Sequence, residues 1–83
     1  MKQPTLDYIL ELHNHIIFKT ERIAQLERMI SIVRSTYKAM SPNQLNEAIR
    51  DVNGMKREIE EHKKYCKQAQ KEVDAFFANP AVA

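Results

Sequence analysis

Ala39-Met40-Ser41-Pro42-Asn43-Gln44-Leu45 divides the 83-residue chain almost in half. Serine is a favoured N-cap, and proline fits the first helical position because its missing N–H would have no helical partner there. Ser-x-x-Gln is also the spacing of a capping box, in which side chain and backbone satisfy each other reciprocally. Proline pushes the residue before it out of helical geometry. One helix therefore ends at this stretch and another begins.

The pattern on either side has the same period. Before it, Ile9, Leu12, Ile16, Ile23, Leu26, Ile30, Val33, Tyr37 and Met40 recur at alternating spacings of three and four. After it come Leu45, Ala48, Val52, Met55, Ile59, Cys66, Ala69, Val73 and Phe76. Such spacing draws one apolar seam along each of two long helices. The expected fold is all-α: an antiparallel two-helix hairpin with a heptad-patterned, coiled-coil seam, forming one domain over residues 1–83. Helix 1 is expected over about 5–40, a turn at 41, helix 2 over about 42–78, and a frayed tail over 79–83 after the Asn79-Pro80 stop. Asn53-Gly54 resembles a turn, but Val52 and Met55 keep their phase across it, so the helix is read as continuous with a local weakness of about 1 kcal/mol.

Composition excludes several classes. One glycine and three prolines do not describe a loop-rich or disordered chain. A lone cysteine cannot form an internal disulfide. Asp7, Glu11 and His13 interrupt any apolar run near the start, so neither a secretory leader nor a membrane partner is expected, and the expected setting is cytoplasmic. A formal charge of +2 is too mild to imply nucleic acid through bulk electrostatics.

Folding at Ser41 makes facing residue numbers sum to about 82. Core layers then pair Tyr37 with Leu45, Ile30 with Val52, Leu26 with Met55, Ile23 with Ile59, and Ile9 with Val73. The same alignment sets Arg22 beside Glu58, Glu27 beside Lys56 and Leu6 beside Phe77, pairs that lie outside the two seams. Lys19 and His62, the polar residues that interrupt the two seams, become neighbours; Lys19 is expected to snorkel towards Glu21 or solvent.

Helix 1 carries more apolar surface than one seam can cover. Leu6, Leu10, Ile17 and Ala24 form a second stripe with His13 and Thr20 interleaved, while Phe18, Met29 and Ile32 lie on the opposite flank. Helix 2 adds Ile49, Tyr65 and Phe77 but is otherwise charged outside its seam. An extra apolar face of this kind calls for a partner. Leu6, Leu10, Ile17, Phe18, Met29 and Ile32 are therefore the candidate association residues. The expected partner is a second copy, giving a dimeric four-helix bundle, and/or another protein.

No catalytic motif stands out, and the expectation is a non-enzymatic interaction protein acting as an adaptor, inhibitor or regulatory subunit. Glu58, Glu60 and Glu61 are followed by Lys63 and Lys64 within a turn, the composition of a solvated ion-pair face. The second reading is a nucleic-acid-binding bundle in which Lys63, Lys64, Lys67 and Lys71 contact phosphates. The third is a metal-holding bundle: His62 and Cys66 are four apart, a ligand spacing, and His15 lies on the adjoining flank of helix 1. Cys66 occupies a seam position, where cysteine behaves as a small apolar residue, and no metal or cofactor is expected.

Overall fold

The computed structural model describes residues 5–78. Helix α1 spans Leu6–Thr36 and helix α2 spans Pro42–Ala78, with a 3-10 turn at Tyr37–Ala39 between them. The helices pack antiparallel as an all-α hairpin, a thin board with Cα extents of 61 × 21 × 16 Å. The Asn79-Pro80 stop and the expected tail lie outside the described residues.

Each helix start is capped as its sequence dictates. Thr5 is the N-cap of α1: its hydroxyl accepts from the Tyr8 N–H at 3.2 Å and its carbonyl from the Ile9 N–H at 3.1 Å. At α2 the capping box closes in both directions. The Gln44 N–H donates to Ser41 Oγ at 3.3 Å, and the Ser41 N–H donates to Gln44 Oε1 at 3.0 Å.

Helix 1 stops earlier than its apolar spacing predicts. The α-helix ends at Thr36, not near residue 40, and Tyr37–Ala39 tighten into the 3-10 turn. The hydroxyls of Ser35 and Thr36 donate to the carbonyls of Ser31 and Ile32, at 3.0 and 2.9 Å, and such back-bonding loosens a helix end. Met40 is extended, which aims the chain into Ser41-Pro42. Tyr37, expected in a core layer with Leu45, consequently lies 44% exposed, while Leu45 is half-buried.

The rest of the register agrees with the sequence. Leu26, Ile30 and Ile59 form one buried cluster, with Ile23, Val52 and Met55 packed against it. Ile9, Leu12, Ala69 and Val73 form a second towards the open end of the hairpin, joined by Ile16, Tyr65 and Phe76. Ile9 and Leu26, one in each cluster, are essentially sealed from solvent at 0% and 1% exposure. Lys19 and His62 fall between the clusters, where the two seams are polar.

Gly54 sits within α2, and a Cβ placed on it meets nothing within 4 Å. Its backbone is ordinary, without positive φ. Here the residue supplies only flexibility to the unfolded chain, a cost of the kind alanine removes. Gly54→Ala should raise unfolding stability by about 1 kcal/mol, whereas Ser41→Ala, which removes the cap, should lower it by a similar amount. Chemical denaturation followed by circular dichroism reads both; a neutral or destabilising Gly54→Ala would mean that this face of α2 is covered.

Candidate interaction surface

Along one flank of the seam, polar side chains tie the helices together. The Tyr8 hydroxyl donates to Glu72 at 3.4 Å, His15 Nδ1 meets the Tyr65 hydroxyl at 3.4 Å, and Arg22 Nε donates to Glu58 at 2.8 Å. The three pairs keep one spacing because each lies seven residues, two helical turns, from the next on both helices. Lys19 joins this flank: its ammonium lies 4.6 Å from the centroid of the Tyr65 ring, a cation–π contact, and not against Glu21.

Glu58 is the junction of this ladder. The Oε2 atom that pairs with Arg22 also accepts from His62 Nε2 at 3.0 Å. Hydrogen bonds from Arg22 and then from His62 favour the carboxylate, so the pKa of Glu58 is lowered from the ordinary glutamate value. Tyr8 shifts the other way: the negative charge of Glu72 beside it raises the pKa of its hydroxyl.

The opposite flank has no such links. Among the described residues, no side-chain hydrogen bond or ion pair joins α1 to α2 there. The expected Glu27–Lys56 neighbours form no ion pair, and Leu6 and Phe77 are both exposed. Leu10, Ile17 and Ala24 continue this unlinked side around α1 at helical spacing, and all three are exposed. All six candidate association residues, Leu6, Leu10, Ile17, Phe18, Met29 and Ile32, are between 40% and 65% exposed. Seven of the ten large apolar side chains exposed among the described residues belong to α1, counting Tyr8 with these six; Ile49 and Phe77 are those of α2, and Tyr37 belongs to the turn.

Lys63, Lys64 and Lys67 border an open, shallow depression on α2 together with Glu60 and Glu61, and Lys71 lies exposed one turn further on. Carboxylates thus sit within the lysine patch itself. The three candidate metal ligands have separate partners: His62 faces Glu58, His15 faces Tyr65, and the Cys66 thiol points to the Ile16 carbonyl at 3.9 Å. No group of three or more His, Cys, Asp or Glu side chains with the geometry to hold a metal is gathered among the described residues.

Sequence reasoning missed the structural roles of Tyr8 and Tyr65. The signal was present, since Tyr8 and Glu72 share the spacing that sets Arg22 beside Glu58. Among the described residues no helix is long and apolar enough to cross a membrane. No family model, curated protein or solved structure matches the chain.

Because its folded pKa is depressed, Glu58 contributes stability that is present above about pH 4.3, the ordinary glutamate value, and lost as the pH falls through the lower folded value. Glu58→Gln should therefore destabilise the hairpin at neutral pH and flatten the acid limb of its stability profile. Denaturation midpoints measured from pH 7 down to pH 3 test this; an unchanged acid limb would mean that the Arg22–Glu58–His62 junction contributes nothing measurable.

Proposed function

We propose that the chain is a non-enzymatic interaction module that works through the apolar flanks of α1, as an adaptor, inhibitor or regulatory subunit. The observation that carries this reading is the exposure of all six candidate association residues of α1, which lie outside the heptad seam. Scattered apolar residues are normal on any surface. Here, however, they repeat along one helix that is apolar well beyond its seam, whereas α2 segregates apolar from charged residues sharply. Buried apolar anchors supply most of the energy of protein interfaces, and the charged residues at their edges supply specificity. A second copy of the chain is the partner this proposal expects first.

Phosphate recognition by Lys63, Lys64, Lys67 and Lys71 is the second reading. It depends on the same lysines whose field Glu60 and Glu61 offset.

Two sets of variants separate these readings. Leu10→Glu with Ile17→Glu should abolish self-association or partner capture while the helical signal persists, because both side chains lie outside the two buried clusters. Lys63→Gln, Lys67→Gln and Lys71→Gln together should leave association unchanged. Sedimentation equilibrium and titration with labelled RNA and DNA provide the readouts. Salt-sensitive nucleic-acid binding that the lysine variant loses would replace the interaction-module reading with the second one.

A further inference from the structure

Resting on the proposal that α1 is the interacting helix, we infer that its occupant is a second copy of the same helix, docked antiparallel on the unlinked flank about a two-fold axis through Ile17. The choice of flank follows from the hairpin itself. On the linked side, Tyr8, His15 and Arg22 are engaged with α2. On the other side, Leu6, Leu10, His13, Ile17, Thr20 and Ala24 form a stripe that is exposed throughout and makes no side-chain bond to α2 among the described residues.

Laid against itself antiparallel, this stripe is self-complementary from Leu10 to Ala24, while Leu6 falls at its end beside the second copy's Glu27. With Ile17 facing the second copy's Ile17, each Leu10 falls opposite an Ala24, a large residue against a small one. The polar members coincide as well, since each His13 comes beside a Thr20. The Thr20 hydroxyl donates to the Ile16 carbonyl at 2.7 Å, which leaves its oxygen to accept a hydrogen bond from the imidazole. Along the outer edge, Asp7 meets the second copy's Arg28, and symmetry makes that ion pair twice. Both residues are exposed, and neither has an ion-pair partner among the described residues.

Neighbouring registers fail on charge. Sliding one heptad in one direction sets Asp7 opposite the second copy's Glu21, and sliding one heptad in the other sets Glu21 opposite Glu21. Like charges facing each other across an interface oppose those alignments. Of these three registers, only the one centred on Ile17 pairs opposite charges along the edge.

Single-cysteine variants in a Cys66→Ala background test the axis. Ile17→Cys should cross-link to a covalent dimer with a short bis-maleimide, because the two copies of residue 17 face each other. Leu10→Cys should yield at least about tenfold less, since its two copies lie about 21 Å apart along the helix axis at 1.5 Å per residue. Asp7→Arg and Arg28→Asp should each weaken the dimer about tenfold, and the double variant should recover to within about threefold of the parent. Equal cross-linking of Ile17→Cys and Leu10→Cys, or no recovery in the double variant, would overturn the inference. A dimer that cross-links through Phe18→Cys instead would place the contact on the other flank, leaving the interaction-module reading intact. A monomer at every concentration in sedimentation would exclude the second copy and overturn the inference; the module reading would then stand only if the parent binds another protein and the Leu10→Glu, Ile17→Glu variant does not.

Discussion

Two helices can share only one seam, and that constraint governs the whole molecule. Each helix presents about a third of its circumference to the other, so anything apolar beyond that width stays in contact with solvent unless another surface covers it. In α2 the constraint is met by composition: outside Ile49, Tyr65 and Phe77, its remaining faces are largely charged. In α1 it is not, and Leu10, Ile17, Phe18 and Ile32 stand in water as a result. The asymmetry between the helices, more than any single residue, leaves the hairpin with an uncovered apolar face.

The register that creates this face is fixed near the turn. Reciprocal hydrogen bonds between Ser41 and Gln44 define where α2 begins, and from there each layer is determined by counting. A slip by one residue would rotate both seams away from each other, while a slip by a whole heptad would break the Arg22–Glu58 and Tyr8–Glu72 pairs together. Individually these exposed pairs are weak. Their importance lies in sharing one alignment, so that alternatives lose all of them at once.

Most of this was legible in the amino-acid order because it depends on periodicity and capping, which are local. The two helices, the capping box, the layers around Ile59 and Val73, and the Arg22–Glu58 pair follow from counting along the chain. The end of α1 was not legible in that way: Tyr37 and Met40 keep the apolar spacing, but Ser35 and Thr36 divert their hydroxyls to the backbone and the helix tightens before reaching them. Lys19 was hard to place for a related reason. A long cationic side chain has several reachable partners, and the Tyr65 ring only becomes one once both helices are in position. The apolar excess of α1 could be read from composition, but the difference between its linked and unlinked flanks required side-chain positions.

The polar band of Lys19 and His62 divides the buried interior into two clusters, one near the turn and one towards the chain ends. Structural stability is seldom uniform, and proteins open locally in roughly contiguous cooperative units. Near Ser41 the helices are tethered by a short connection, so bringing Ile59 against Leu26 closes a smaller loop than bringing Val73 against Ile9, and smaller loops lose less entropy on closure. Loop closure therefore favours pairing from the turn outwards, and the Ile9–Val73 end should part before the Leu26–Ile59 end. Backbone amides should report this as a gradient of solvent exchange along the board, steepest where the two polar side chains interrupt the packing.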